Sequence, residues 1–180
     1  MNLKHIKTVT AGSDVSTLAI DDCFNSSYSH YKVFMDNLDP YGFVYFHAKL
    51  RDTLGTVSGT NYIQHQLGKF GTPGSGGGLG FYYAGYRSDL DYILYFAGQG
   101  INSYKNTIHG VWDFYMPFES DKFTFLTGKA QGSQAQYSLY ASHQNAVYPV
   151  ATSITGFEIY STSSNKITTG TKFSVYGVPT

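Results

Sequence analysis

A chain of 180 residues with 12 basic and 12 acidic side chains can form one domain with a real core and is short for two. Charged residues make up only 13 % of it, roughly half of what an ordinary globular chain carries, and the formal net charge is zero. Nothing in that balance draws the chain towards nucleic acid or an anionic membrane, so no nucleic-acid partner and no membrane insertion are expected. The opening MNLKHIKTVTAGSD has no apolar run fit for a signal peptide, and no apolar stretch is long enough to span a bilayer. The expectation is a protein folded in the cytoplasm without a cleaved leader.

A first strand is expected over KHIKTVTA (4–11), within a short amino-terminal segment of about residues 1–14. SDVSTLAIDDCFNSSY leads into HYKVFMDNL (30–38), which alternates. Tyr31, Val33 and Met35 lie on one side, and Lys32, Phe34 and Asp36 on the other, the period of a half-buried strand. Asp39-Pro40-Tyr41-Gly42 marks a turn. In FVYFHAKLRD (43–52), Val44, Phe46, Ala48 and Leu50 form an inner face, and Tyr45, His47, Lys49 and Arg51 a basic, wet outer one. NYIQHQLGKF (61–70) reads as a further strand.

GTPGSGGGLG (71–80) holds six glycines, and so much lost backbone entropy prevents a regular element there. Strands resume in FYYAGYRSDLDYILYFAGQG (81–100), and WDFYMPFESDKFTFLTGKA (112–130) adds two segments around Pro117. SQAQYSLYASH (133–143) sets Tyr137, Leu139 and Ala141 against Ser138, Tyr140 and Ser142. ITGFEIYS (154–161) and the strand from Lys172 to Gly177 alternate again, and the Ser/Thr/Asn/Gly-rich segment between them suggests a closing hairpin. Gly170 falls at a bulge or a positive φ in that reading. Helical periodicity is scarce, and 17 Tyr, 13 Phe and 20 Gly against 5 Pro suit strands and tight turns. The sum is about eight to ten strands in one domain spanning 1–180, an all-β antiparallel two-sheet β-sandwich of jelly-roll type. So many phenol rings exceed what one core holds, and many must be half-buried or at contacts with another molecule.

Chemistry is harder to find. The glycine-rich loop lacks the Lys-Ser/Thr and the helix that a phosphate loop needs. His5, His30, His47, His65, His109 and His143 are scattered, with no metal-ligand spacing, and His47 and His65 read as sheet-surface residues. Asp21-Asp22 and Asp89-x-Asp91 are the close carboxylate pairs. Asp89 and Asp91 sit about 7 Å apart on an ideal strand, within the range of glycosidase carboxyls, yet SDLDY reads equally as a turn entering a strand. No Gly-x-Ser-x-Gly elbow occurs. Cys23, beside apolar residues, reads as a buried inert thiol that can form no intrachain disulfide. No catalytic residue, cofactor or metal ligand is assigned.

The blocks LAIDDCFNSSYSHYKVFMDNLD, GFVYFHAKLRD, NYIQHQL, WDFYMPF and ITGFEIYSTSSNKITTGTKFSVYGV together resemble small virion structural proteins of tailed bacteriophages. The matching positions are Phe24, Tyr28, Tyr31, Leu50-Arg51, Gly156, Gly170-Thr171 and Val175-Tyr176-Gly177, and the likeness runs from about residue 15 to 178. Residues 71–111 have no counterpart in it. The resemblance implies a jelly-roll-like sandwich without catalytic residues, found on tail fibres, baseplates and capsid decorations. It implies a virion component assembled in the host cytoplasm and shown on the particle exterior. Its partners would be other virion proteins and copies of itself, as a trimer or ring. A tail or fibre part engaged in host attachment is the leading expectation, with a capsid decoration (cement) protein as the alternative. A third reading is a carbohydrate-binding module without catalysis, stacking a host-surface glycan on Tyr82, Tyr83, Tyr86 and Tyr92.

Overall fold

A computed structural model describes residues 2–39, 46–57, 62–71, 80–90, 93–97, 107–135, 138–161 and 166–179, with the backbone alone at 65–71, 80–90, 93–97, 133–135 and 138–140. Thirteen strands and no helix lie in these residues: β1 (Lys4–Thr10), β2 (Thr17–Ile20), β3 (His30–Leu38), β4 (Phe46–Asp52), β5 (Gly55–Thr56), β6 (Tyr62–Gly71), β7 (Gly80–Leu90), β8 (Ile93–Ala97), β9 (Ile108–Tyr115), β10 (Thr124–Ala135), β11 (Ser138–Tyr148), β12 (Gly156–Ser161) and β13 (Lys172–Gly177). The count exceeds the eight to ten read from sequence; β2 and β5, of four and two residues, are part of the excess, being too short to alternate visibly.

β1 pairs with β13, β2 with β12, β3 with β9 and β4 with β8, all antiparallel. The first four strands thus meet later ones in reverse order, β13, β12, β9 and β8, as one long ribbon folded back on itself. Successive pairs fall alternately in two sheets, the strand plan of a jelly roll. The hairpin β10–β11 and the pair β6–β7 widen one sheet to eight strands, in the order β1-β13-β3-β9-β10-β11-β6-β7. The other sheet runs β2-β12-β4-β5, with β8 also on β4.

This plan corrects the expected closing hairpin. β12 and β13 do not pair; β12 lies between β2 and β4, and β13 between β1 and β3. Their apolar faces meet across the sandwich instead, with the rings of Phe157 and Phe173 edge to face at 6.1 Å. Gly170, in the connection, has φ +90°, as its residue type suggested.

The core grows from the alternation. Tyr31, Val33 and Met35 of β3, Phe46, Ala48 and Leu50 of β4, and Phe157 and Ile159 of β12 are all buried. Phe24 packs on Tyr31 at 4.8 Å and on Phe114 at 5.1 Å, and Phe114 stacks on Phe157 at 5.3 Å. The Tyr31 hydroxyl donates to the Asn25 carbonyl and accepts from the Asn25 N–H at 2.8 Å, so the ring is buried without an orphaned polar end. Trp112 lies flat against its own sheet because two glycines make room for it. A Cβ on Gly128 would come 1.9 Å from Trp112 Cδ1, and one on Gly110 2.2 Å from Cη2. Cys23 is buried, its thiol 3.4 Å from the Ile20 carbonyl, and burial pushes its pKa well up, which makes it a poor nucleophile.

The outer face of β4 departs from the basic, wet surface expected of it. His47 is buried, with its ring edge-on to Tyr160 at 5.7 Å, rather than a sheet-surface residue. Arg51 is largely covered, since Asp21 and Glu158 grip it from the end of β2 and from β12. Neighbouring strands bring side chains that cover the outward positions, a cross-strand effect that period-2 reading of one strand cannot include.

Candidate binding face

The eight-stranded sheet turns its other side outward. Because Tyr31, Val33 and Met35 face the core, Lys32, Phe34 and Asp36 face out; likewise Trp112 and Phe114 inside put His109, Val111, Asp113 and Tyr115 outside. On β10 the outward set is Phe125, Thr127, Lys129 and Gln131, and on β11 it is Ala141, His143, Asn145 and Val147. The inward residues of β11 are Ser142, Gln144, Ala146 and Tyr148, so that strand buries two polar side chains, Ser142 and Gln144. Gln144 is held by the Trp112 indole, whose Nε1–H donates to its Oε1 at 3.4 Å.

Antiparallel register sorts the outward side chains into rows. At one end, Tyr115 stands opposite Phe125, Phe125 opposite Val147, and Val147 opposite Ile63. Phe125 and Phe123 are 44 % and 46 % exposed, so this row is an apolar patch open to solvent. His30 stacks on Tyr115 at 4.5 Å and donates to Asp113 at 2.7 Å. Lys32 reaches the same carboxylate at 2.7 Å, so the second row is an ion-paired cluster shared by β3 and β9.

The far end of the face is a shallow basin of about 730 Å³. Phe34, Asp36 and His109 line it from β3 and β9, and Lys129, Gln131 and His143 from β10 and β11. The modest side chains of Val111 and Ala141 leave its floor low. Asp36 lies 3.4 Å from Lys172 and 3.6 Å from the His109 imidazole. Lys129 stands directly opposite His143 across the ladder. Among the described residues, Lys129, His143 and Gln131 have no hydrogen-bonding or ionic partner.

The other outward face is closed. Arg51 Nε donates to Asp21 at 2.5 Å, and its Nη1 to Glu158 at 2.6 Å and to Thr56 Oγ1 at 3.0 Å. Burial pushes the guanidinium pKa down, but these hydrogen bonds and the two carboxylate charges outweigh it and hold the group above its ordinary value. Thr56 donates to Glu158 at 2.8 Å, and Lys49 sits over the Tyr160 ring at 5.5 Å.

Of the residues read from sequence as glycan contacts, Tyr82, Tyr83 and Tyr86 fall on β7, the outermost strand of the large sheet. There Tyr83 is opposite Gly68 and Tyr86 opposite His65, with Tyr82 at a register shift. Their side chains, Tyr92, Asp91 and the loop over 72–79 lie outside the described residues, and Asp89 is described by its backbone alone. Asp21 is committed to Arg51, and Asp22 turns the chain with φ 50°. His109 and His143, scattered in the sequence, meet in the basin. Phe34, Asp36, Lys129 and Gln131 were not singled out beforehand; only their place on the outward side of alternating strands could have pointed to them. Among the described residues no three His, Cys, Asp or Glu side chains converge as a metal site would require. No protein-family model and no curated protein matches the chain.

Proposed function

We propose that the chain is a non-catalytic structural and binding module on the exterior of a tailed-phage particle, in the tail or fibre, working through the outward face of its eight-stranded sheet. The observation that carries this reading is the contrast on that one face. An apolar patch around Phe125 and a basin with unpartnered polar groups lie side by side on a rigid sheet, whereas the opposite face is ion-paired within itself. A protein that assembles with neighbours and touches a surface needs such a face and needs no cofactor. The low charge and abundant tyrosine fit broad contacts with other virion proteins and with copies of the same chain in a trimer or ring. The ordered resemblance from Phe24 to Gly177 supports the phage setting.

Mass spectrometry of purified particles, with copies counted per virion, tests the reading. A few dozen copies or fewer are expected for a tail or fibre part. Hundreds would make the chain a capsid decoration protein, and its absence from particles would remove the virion reading altogether. The basin favours a second reading, a glycan-binding module free of any particle. A purified monomer that binds glycans, from a source whose particles lack the chain, would establish that one.

A further inference from the structure

We infer that the basin at the far end of the large sheet is a binding site for an acidic oligosaccharide, a chain of sugars bearing carboxylates. The inference deepens the proposed surface-contact function and rests on it for the source of the sugar. Its size falls within the range of about 300–1,000 Å³ that small-ligand sites occupy.

Charge decides the class of ligand. Lys129 and His143 face each other across the β10–β11 ladder with no carboxylate between them, and His109 stands on the next strand over. Asp36, the one carboxylate among the described residues that line the basin, is already shared by Lys172 and His109. The Lys129 ammonium therefore has no described carboxylate across the ladder to neutralise it, and the position opposite is an imidazole. An anion seated there supplies the counter-charge that the Lys129 ammonium lacks. In a chain of zero net charge, this is a local excess rather than a general basic field.

The remaining groups narrow the anion to a sugar acid. Phe34 offers a half-buried ring on the basin wall, edge-on to Tyr176 at 5.6 Å and so held in place, on which the apolar side of a pyranose can lie. The Gln131 amide offers donors and an acceptor that no described group takes up, matched to sugar hydroxyls. Lys129 meets the carboxylate. A bare inorganic anion would use the cation and an amide N–H but not the ring. A nucleic acid would call for a longer track of positive charge than one basin supplies.

Calorimetric titration of the purified full-length chain tests the site. The probes are tetramers of galacturonate, of guluronate and of sialic acid, the neutral galactose tetramer, inorganic sulfate, and a short single-stranded oligodeoxynucleotide. At least one acidic tetramer is expected to bind, more weakly as salt rises, and none of the other probes comparably. Lys129→Gln should lower that affinity about ten-fold, and Phe34→Leu should lower it while leaving the melting temperature near that of the parent. Lys49→Gln, on the opposite face, should leave binding unchanged. No binding by any acidic tetramer, equal binding of the neutral tetramer, sulfate or DNA, or full affinity in Lys129→Gln overturns the inference. The copy count in particles is a separate result. Particles that contain a chain unable to bind acidic sugars sink only this site, and a binding chain absent from particles sinks only the virion reading.

Discussion

On the outward face of the five-stranded sheet each charge of β4 and β12 meets a partner: Arg51 joins Asp21 and Glu158, and Lys49 covers Tyr160. Among the described residues the outward face of the eight-stranded sheet has two such clusters, Asp113 with His30 and Lys32 and Asp36 with Lys172 and His109, and beyond them leaves Lys129, His143 and Gln131 to water. The first arrangement ties three chain segments together and contributes to folding. The second contributes little to folding, because exposed, unpaired groups gain nothing from the native state. In a chain with only 24 acidic and basic side chains, that difference in use is informative. Groups that do not serve the fold are the ones free to meet a partner.

The comparison can be broken from the inside first. If the large sheet is a rigid platform, its inward face must be as tightly fitted as its outward face is open. Gly128→Ala places a methyl group where the Trp112 indole lies, and we expect a loss of about 3 kcal/mol in urea unfolding. Gly12→Ala, with nothing within 4 Å of the new atom, serves as the control and should move stability by less than about 0.5 kcal/mol. A small effect of Gly128→Ala would mean that the platform is soft.

Next comes the closed face. Arg51→Met leaves the Glu158 carboxylate, whose side chain is 13 % exposed, with Thr56 alone for a donor and abandons Asp21. A loss of about 2 kcal/mol is expected, between the value for a surface pair and that for a buried one. The double variant with Glu158→Gln should lose less than the sum of the two, and strict additivity would show that the pair is not coupled.

How far these features were legible in the sequence differs by level. β3 coincides with the strand read over 30–38, because Tyr31, Val33 and Met35 are apolar, inward and unbroken in period. The pairing of strands was not legible where it is long-range. Phe157 lies beside Ile20, and a turn-rich segment before β13 says nothing about a partner so far back in the chain. The basin was hidden for two reasons. β11 buries its Ser142 and Gln144 side and shows Ala141 outside, against the usual hydrophobic sense, and His109 and His143 come together only through the β9–β10–β11 register. Period-2 reading gives two faces but cannot say which is inner when both carry polar and apolar residues alike.

Tyr62 joins the two regions under comparison. It stands on the large sheet, yet its hydroxyl accepts the Leu50 N–H of β4 at 2.8 Å, satisfying a buried donor of the other sheet. Tyr62→Phe should cost about 1 kcal/mol near neutral pH by orphaning that donor. Burial pushes the Tyr62 phenol above its ordinary range, only partly opposed by the Leu50 hydrogen bond. With the folded value above the unfolded one, this contribution is fully present below about pH 10 and is lost as pH rises beyond it. Melting temperatures between about pH 8 and 11 should therefore fall less steeply in Tyr62→Phe than in the parent. Parallel curves would mean that Tyr62 takes no part in alkaline unfolding.

The smallest expected effect is the one that sharpens the comparison most. Lys129→Gln removes a cation that has no described partner and faces His143, so unfolding stability should change by less than about 0.5 kcal/mol. Arg51→Met, measured alongside, should lose several times more. A loss above about 1 kcal/mol from Lys129→Gln would place Lys129 among the groups that hold the sheet together, and the two outward faces would then differ in degree rather than in kind. Stability that does not move, in a variant that no longer holds an acidic sugar, would separate binding from folding at a single side chain.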